Sequence, residues 1–288
     1  MSCISWNYRG LGRPRVVRAV RDLVRHENPD ILFLAETRQG NRMMERLKWR
    51  MGLGNGVFVD PIGSRGGLAL LWKDGVEVRL QSFSRFHIDA LVEEEGVPAW
   101  RITGFYGAPV ATKRRVGWNV LQILAGRSNL SWLCFGNFNE ILWRSEQHGR
   151  RDRSEWQMRD FRRIIDVYAF RDLGYRGRDF TWANNREGTA FVEGRLDRAF
   201  ATASWTALFP PAMVDHLEHH VSDHCPVRVL LEGDNDAQRL QRRRRVFRFG
   251  EIWARDEESE DVVTQSWGEL RGECKIWCNP TEDKRVKG

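Results

Sequence analysis

The stretch Ile31-Leu32-Phe33-Leu34-Ala35-Glu36 decides the class of fold. A short apolar run bounded by turn signals is typical of a buried strand, and here the run ends at a carboxylate. Asn28-Pro29-Asp30 comes directly before it and stops a predicted amphipathic helix over 13–26, whose valines and Leu23 share one face. Ser2–Asn7 precedes that helix and reads as a buried strand. The chain therefore opens with a strand–helix–strand unit, which favours an α/β arrangement.

The segments that follow mix hairpins with further strand and helix units. Successive strands joined by Gly, Asp or charged turns are predicted at Val57–Val59, Gly67–Trp72, Val76–Phe83, Ile88–Val92 and Trp100–Tyr106. Helices are predicted near Asn41–Arg50, Ala111–Ala125 and Ser154–Tyr168, and further strands at Trp132–Phe135, Phe180–Ala183, Glu193–Phe200, Met213–His216 and Val227–Leu231. Two packed mixed β-sheets flanked by helices account for this pattern. We therefore predict an α/β (α+β) four-layered sandwich.

A domain boundary is expected after Leu231, where the last predicted strand ends. The segment Arg239–Arg248 holds six arginines, and Glu251–Asp261 holds six acidic residues. Such charge blocks favour a linker or tail over 232–288 that is solvated, partly helical or disordered, and a basic arm that touches nucleic acid is the functional alternative. The predicted domain therefore covers residues 1–231.

Composition limits the class of partner. The chain has 288 residues and a net charge of +7, and residues 1–231 carry 34 basic and 26 acidic side chains. This basic excess suits a polyanion such as nucleic acid or a phosphorylated lipid, although a merely soluble basic protein shows it too. We find no run of eighteen apolar residues and no secretory signal, so we expect an intracellular protein, nuclear or cytoplasmic, that is not secreted and has no membrane partner. No protein partner can be inferred, and a monomer is expected.

Zinc and nucleotide-triphosphate chemistry are not supported by the motifs. His216, His219, His220 and His224 crowd one stretch, but neighbouring residues of a strand point to opposite faces, and there is no HExxH motif. Cys274 and Cys278 form a C-x3-C pair with no second pair, whereas structural zinc needs four ligands. No GxxxxGK[ST] sequence is present.

Polar side chains stand where predicted strands end, which is where an α/β sheet usually places a site. These side chains are Asn7, Glu36, Tyr106, Asn137, Asn139, Asp197, Asp223 and His224. A carboxylate such as Glu36 can hold Mg²⁺, which needs only one or two carboxylates with waters and phosphate. The adjacent Asp223 and His224 suit general acid–base work or contact with a phosphate. Each residue alone also fits a solvated turn or a hydrogen-bonded core position.

Six motifs in fixed order resemble the endonuclease/exonuclease/phosphatase superfamily over roughly residues 2–231. They are Ser5-Trp6-Asn7-Tyr8-Arg9-Gly10-Leu11, Leu34-Ala35-Glu36-Thr37, Gly104-Phe105-Tyr106-Gly107, Phe135-Gly136-Asn137-Phe138-Asn139, Arg195-Leu196-Asp197-Arg198 and Ser222-Asp223-His224-Cys225-Pro226. Asp172-Leu173-Gly174-Tyr175, Phe180-Thr181-Trp182 and Phe209-Pro210 add a finer similarity to the endonuclease of plant LINE-type (non-LTR) retrotransposons. The resemblance implies a DNase I-like fold and a hydrolase that nicks DNA.

The resemblance also implies a role for each candidate residue. Glu36 would bind Mg²⁺ or Mn²⁺, with Asn7 ordering the metal shell and Asp223 supporting the metal or the leaving side. Tyr106 and His224 would contact the scissile phosphate, and Asp197 would hold the ring of His224. Asn139 would orient the attacked group and the residue two positions before it. The implied reaction is metal-assisted attack of water on a phosphodiester.

One residue departs from the family pattern. The motif reads Gly-Asp-Phe-Asn in the family, and here Asn137 stands in place of the aspartate that activates or positions the attacking water. An amide has the same shape but cannot accept a proton as a carboxylate does. The fold is expected to survive, with impaired activity. Two alternatives stay open: a catalytically inactive nucleic-acid-binding remnant, and a phosphatase that acts on small phosphate esters.

Overall fold

A computed structural model describes residues 1–12, 14–149, 153–218 and 221–233. The first residue of the helix predicted over 13–26, the neighbouring His219 and His220, and Cys274 and Cys278 lie outside these ranges. Nearly all of the predicted tail, from residue 234 onward, also lies outside them, so the boundary after Leu231 stays a prediction.

The described residues include five α-helices and sixteen β-strands. The helices are α1 (Pro14–Glu27), α2 (Asn41–Arg50), α3 (Ala111–Ala125), α4 (Glu155–Val167) and α5 (Ala203–Leu208). The first eight strands are β1 (Ser2–Asn7), β2 (Ile31–Ala35), β3 (Asn55–Val59), β4 (Leu68–Trp72), β5 (Glu77–Ser84), β6 (His87–Glu94), β7 (Val97–Tyr106) and β8 (Trp132–Asn137). The other eight are β9 (Gln147–Gly149), β10 (Phe170–Asp172), β11 (Arg176–Gly177), β12 (Trp182–Ala183), β13 (Val192–Gly194), β14 (Asp197–Thr202), β15 (Met213–His216) and β16 (Val227–Leu230).

Two mixed sheets form the centre of the fold, as the sequence predicts. The larger sheet has seven strands in the order β11-β15-β16-β1-β2-β4-β3, with β1 parallel to β2. The second has six strands in the order β10-β14-β8-β7-β6-β5, with β7 parallel to β8. A small third sheet, β12-β13-β9, was not anticipated.

Three apolar clusters hold the layers together. The first lies between the two large sheets and includes Phe33, Trp100 and Phe135. The second joins α1 and α2 to the outer face of the seven-stranded sheet, and the third joins α3 and α4 to the six-stranded sheet. Strands β1 and β2 are buried at every position because one face meets helices and the other meets the second sheet. Helix, sheet, sheet and helix thus form the four layers of a DNase I-like sandwich, and the predicted fold class is confirmed.

The strand predicted at Glu193–Phe200 is in fact two strands in different sheets. Gly194 ends β13, which pairs with β9 in the small sheet, whereas Asp197 begins β14, which pairs with β8 in the six-stranded sheet. The chain changes sheets across two residues, Arg195 and Leu196, and a break this short leaves no turn signal in the sequence. Within the described residues, no helix is long and apolar enough to cross a membrane.

Candidate active site

Three neighbouring strands of the six-stranded sheet end in the predicted site residues. Tyr106, the last residue of β7, lies opposite Asn137, the last of β8, and Asn137 lies opposite Asp197, the first of β14. Gly136 permits this close approach, since its φ is +142° and an added Cβ would stand 2.1 Å from the Phe105 carbonyl oxygen. Strand register therefore places these three side chains in a row.

The seven-stranded sheet brings its own polar residues to the same place. Asn7 ends β1 opposite Ala35, and Glu36 follows directly after β2. The Tyr106 hydroxyl donates a 2.6 Å hydrogen bond to Glu36 Oε1, which links the ends of the two sheets. Asn7 Nδ2 lies 3.5 Å from the same carboxylate oxygen. The strand ends of both sheets therefore converge on Glu36.

Glu36 is held as a carboxylate. Burial alone would raise the pKa of its carboxyl, but hydrogen bonds from Tyr106 and Arg38, with the charges of Arg38 and Arg9, outweigh burial and lower it. Arg38 Nη2 donates to Glu36 Oε2 at 2.8 Å. Burial, followed by the Glu36 charge and hydrogen bond, raises the pKa of the Tyr106 phenol, so this phenol stays a neutral donor.

His224 forms a buried pair with Asp197. His224 Nδ1 lies 2.8 Å from Asp197 Oδ2, and both side chains are almost fully buried. Thr181 completes the arrangement, because its hydroxyl donates to Asp197 Oδ2 at 2.9 Å and accepts the backbone N–H groups of Leu196 and Asp197. A carboxylate fixed in this way holds the imidazole in one orientation.

The free edge of the His224 ring faces the other site residues. His224 Nε2 lies 3.4 Å from Asn7 Nδ2, and the His224 carbonyl accepts a 2.9 Å hydrogen bond from Trp6 Nε1. Burial lowers the pKa of the imidazole, but the carboxylates of Asp197, Asp223 and Glu36 together outweigh burial and raise it. The pKa of the imidazole therefore lies above its ordinary value, and when the ring is protonated Nε2 is a donor.

Asn137 and Asn139 form one turn after β8. Asn137 Oδ1 accepts the Asn139 backbone N–H at 2.7 Å, and Asn139 Nδ2 donates to the Gly107 carbonyl at 2.7 Å. Asn137 Nδ2 is buried and has no hydrogen-bond partner. A buried donor without a partner costs free energy, so the amide nitrogen of Asn137 destabilises the folded state.

Asp223 stands at the mouth of the site. Its Oδ2 pairs with the guanidinium of Arg9 and accepts a 3.0 Å hydrogen bond from Trp182 Nε1. A groove of about 520 Å³ opens here, and Arg9, Arg38 and Asp223 are among its lining residues. The mouth of the site is therefore rich in guanidinium groups.

Backbone strain is concentrated in the same region. Arg9, Glu36, Arg38 and Asn139 all have φ between 46° and 56°, which side chains other than glycine rarely adopt. Residues in this region cost of order 1 kcal/mol each and cluster at functional sites. Four of the seven described non-glycine residues with positive φ lie at this strand edge, which is consistent with a functional site here.

Glu36 and Asn7 supply the oxygen atoms at this edge that could hold a divalent cation. Among the described residues, no group of three or more His, Cys, Asp and Glu side chains could hold a metal ion. Mg²⁺ needs fewer protein ligands, however, and the buried Asn7 Oδ1 has no hydrogen-bond partner beside the Glu36 carboxylate. An unpaired amide oxygen next to a carboxylate fits a hard cation, provided that Arg38 moves away from Glu36.

The structure brings the predicted side chains together, and several of their contacts were not predicted. All eight predicted side chains lie at this edge of the fold, and Glu36, Tyr106, Asn7, His224 and Asp197 form one connected set of contacts. Arg9, Thr181 and Trp182 belong to motifs quoted above, but neither they nor Arg38 had an assigned role. His216, once considered with zinc, stacks on Tyr175 and binds the Arg178 carbonyl instead.

Comparisons with known proteins agree with this geometry. The sequence profile of the Endonuclease/Exonuclease/phosphatase family matches residues 4–224, so the chain belongs to that family. No curated protein sequence gives a significant match.

Solved structures with the same fold include nucleases and a phosphatase. A 3′ phosphatase, NExo from Neisseria, bound to product DNA hairpin, is 20% identical with a TM-score of 0.61 over 81% of this chain and 99% of that one. The AP endonuclease LMAP from Leishmania major is 15% identical with a TM-score of 0.60, covering 79% and 86%. The endonuclease domain of TRAS1, a telomere-specific non-LTR retrotransposon, is 11% identical with a TM-score of 0.58, covering 81% and 99%. At these identities the likeness is one of fold.

Proposed function

We propose that this protein is a divalent-metal-dependent phosphodiesterase that nicks DNA, of the LINE-retrotransposon endonuclease type, and that Asn137 limits its rate. The observation that carries the proposal is the convergence of Glu36, Asn7, Tyr106 and the His224–Asp197 pair at one strained, largely buried edge. A carboxylate beside an unpaired amide oxygen, and an imidazole that is held in place and has a raised pKa, suit a phosphodiester better than a neutral substrate.

Glu36, with Asn7 Oδ1, would hold Mg²⁺ or Mn²⁺ at this edge. When bound, the cation supplies positive charge that stabilises the charge developing on the phosphate. Arg38 would then release Glu36 Oε2 and turn toward the groove, where its guanidinium can pair with a phosphate oxygen. Asp223, already bonded to Arg9 and Trp182, would keep the mouth of the site in place.

The other side chains would position the phosphate and the water. His224, oriented by Asp197, would donate from Nε2 to a phosphate oxygen, and the Tyr106 hydroxyl would contact the same group. Asn139 shapes the turn through its backbone N–H to Asn137 Oδ1. Asn137 can hold a water by hydrogen bonds, but its amide cannot accept the proton of that water.

DNA is the proposed substrate for two reasons. Residues 1–231 carry an excess of basic side chains, and Arg9 and Arg38 line the groove at the mouth of the site. The finer motifs of the sequence resemble those of the LINE type. The finer identification as a retrotransposon endonuclease rests on those motifs.

A nicking assay with metal and substrate arms tests the proposal. Supercoiled plasmid, in Mg²⁺ and in Mn²⁺, is incubated with excess wild type, and phosphate release from soluble inositol phosphates is measured in parallel. Slow nicking that Glu36→Gln abolishes and the exposed-site control Glu77→Gln keeps is the expected result. Release of phosphate from the inositol esters without nicking would make the small-ester phosphatase the correct function instead.

Metal binding can be measured without turnover. Mn²⁺ titration followed by electron paramagnetic resonance is expected to show one site in wild type and in Glu77→Gln, and none in Glu36→Gln. Equal Mn²⁺ binding by all three proteins would contradict the placement of the cation on Glu36.

A second function, a nucleic-acid-binding module without turnover, is favoured by Asn137 itself. The residue removes the proton acceptor, and Arg38 and Arg9 already pair with the carboxylates of Glu36 and Asp223. This candidate predicts salt-sensitive DNA binding with no nicking in wild type or in Asn137→Asp at any metal concentration. Nicking by either protein rules it out.

A further inference from the structure

Helix α1 exposes almost nothing but basic side chains. Its exposed residues are Arg15, Arg18, Arg21, Arg25 and His26, together with Pro14 at the first position. The four arginines follow one another at intervals of three, three and four residues, which places them along one side of the helix. We call these four residues the arginine face.

The arginine face has no counter-charge within the protein. In the part of the chain that the structure describes, none of its four guanidinium groups forms a salt bridge, in contrast to Arg101, Arg198 and Arg228. The acidic residues of α1 are Asp22 and Glu27, and Glu27 is buried and pairs with Arg228 of β16. The face therefore carries an almost uncompensated positive charge.

Only part of this charge pattern serves the stability of the helix: Arg25 and His26 in the last turn complement the helix dipole, and Asp22 can offset the charge of Arg18 or Arg25. The first turn of α1 contains no acidic residue, and it contains Arg15, although a helix N-terminus favours negative charge. Like charges three or four residues apart cost about 0.2–0.5 kcal/mol per pair, and the face contains three such pairs. Solvent-exposed helix faces selected for solubility usually mix both signs. The pattern points instead to an anionic partner.

The arginine face begins beside the candidate active site. Val16, in the first turn of α1, lines the groove together with Arg9 and Arg38. Burial raises the pKa of the groove residue Tyr8, and Arg15 lies close enough for its charge to offset part of that rise. Helix α1 then runs back from this edge, because it connects the end of β1 to the start of its parallel neighbour β2. A polyanion that leaves the groove on this side would meet the face directly.

Helix α2 widens the basic surface. It covers the same face of the seven-stranded sheet as α1 and exposes Arg42, Arg46 and Arg50, none of which forms a salt bridge among the described residues. Lys48, by contrast, pairs with Glu45. The outer helix layer of this sheet thus presents seven unpaired arginines.

We infer that the arginine face binds the phosphodiester backbone of nucleic acid that extends beyond the groove, as a second contact surface outside the catalytic edge. The ten residue steps from Arg15 to Arg25 rise about 15 Å along the helix, which matches roughly four phosphates of one strand at about 3.4 Å each. Guanidinium groups suit this role because they pair with phosphate oxygens in a forked geometry. The inference rests on the proposed nucleic-acid partner and not on the proposed chemistry.

The test compares two variants with the same loss of charge. One carries Arg15→Gln, Arg18→Gln, Arg21→Gln and Arg25→Gln. The control carries Arg127→Gln, Arg159→Gln, Arg163→Gln and Arg171→Gln, which remove exposed arginines from the side of the six-stranded sheet. Binding of a fluorescein-labelled 30-base-pair duplex to the full chain is followed by anisotropy from 50 to 300 mM salt. Thermal melting verifies that both variants are folded.

The face variant is expected to bind at least about 10-fold more weakly at 100 mM salt. The slope of log K against log[salt] should become shallower by about 3, since each lost phosphate contact changes it by about 0.9. The control should change the slope by less than about 1, and replacing the same four arginines of the face by lysine should preserve most of the binding.

Three results would overturn the inference. Equal losses in the face variant and the control would mean that net charge alone matters. An unchanged face variant would remove the contact surface altogether. A face variant that binds DNA like wild type but no longer binds phosphatidylserine vesicles would identify a lipid surface as the partner. Nicking is scored separately: binding differences without any nicking would refute the proposed chemistry alone, whereas nicking without a binding difference would refute this inference alone.

Discussion

Replacing Asn137 by aspartate is the most informative change to this site, because the structure shows what it alters. The side chain is 1% exposed, Oδ1 is bonded to the Asn139 backbone, and Nδ2 has no partner. Asn137→Asp converts that unpaired donor into a carboxylate oxygen and leaves the accepted bond in place. The packing is therefore expected to stay the same, and only charge and proton-accepting ability change.

The expected gain in rate follows from the chemistry of a general base. A positioned base contributes about 10²–10⁴-fold, so Asn137→Asp should nick plasmid on the order of 10²-fold faster than wild type in Mg²⁺, about 2.7 kcal/mol of transition-state stabilisation. The new carboxylate lies next to Asp197 in the strand register, and without a cation this repulsion should lower the melting temperature. Added Mg²⁺ should raise the melting temperature of the variant more than that of wild type.

The assay is nicking of supercoiled plasmid under single-turnover conditions, with melting curves with and without Mg²⁺. Asn129→Asp makes the same chemical change at an exposed loop position and should alter neither measurement. Combining Asn137→Asp with Glu36→Gln should cancel the gain. If wild type is as fast as Asn137→Asp, Asn137 is not at the catalytic position, and if both are inert, the binding-module function gains support.

Three further outcomes are expected. His87 is buried and lies within hydrogen-bond distance of Ser82 and Ser84, and burial lowers the pKa of its imidazole to about 4. Between about pH 6.5 and 4 the unfolded chain therefore binds a proton that the native state does not, and stability falls as the pH falls. Urea titrations should show that wild type loses on the order of 3 kcal/mol more than His87→Gln over that window. Thr181→Val removes three hydrogen bonds around Asp197 and should cost about 1–3 kcal/mol in chemical denaturation, whereas Thr206→Val, which removes one bond to the Ala203 carbonyl, should cost less. Limited proteolysis should cut near Arg239–Arg248 and leave a folded fragment that contains the predicted domain, residues 1–231; a fragment that unfolds on that cut would disprove the predicted boundary.

The elements that could be predicted are those in which the spacing of apolar residues indicates which positions are buried. The sequence predicts β1, β2 and β8 correctly because these strands are buried at every position and are therefore apolar runs. It predicts the helix Ala111–Ala125 because that helix packs one apolar side against a sheet. The strands β9, β10 and β11 have only two or three residues, too few for any periodicity, and they exist because partners distant in sequence pair with them. Local pattern carries no information of that kind.

The candidate site also has features that local sequence predicts and features that depend on distant parts of the chain. Residues at strand ends could be predicted because sheet topology gathers such ends, but the order of strands that sets Tyr106, Asn137 and Asp197 side by side could not. The pairing of Arg9 with Asp223 and of Arg38 with Glu36 could not be predicted from the sequence, for another reason. Arg9 and Arg38 reach those carboxylates from left-handed backbone turns, and the long side chain of arginine can satisfy many partners.

The place of β1 in the seven-stranded sheet has a consequence for how the protein is made. This strand, formed by residues 2–7, lies between β2 and β16, so one of its two edges is completed by residues 227–230. At about 5–20 residues per second, a ribosome needs roughly 11–45 seconds to synthesise the chain between these two strands. During that interval an apolar strand with an open edge must be kept from pairing with other chains. His224 lies in the same late segment, so a nascent chain has neither its finished central sheet nor its buried His224–Asp197 pair until the domain is almost completely translated.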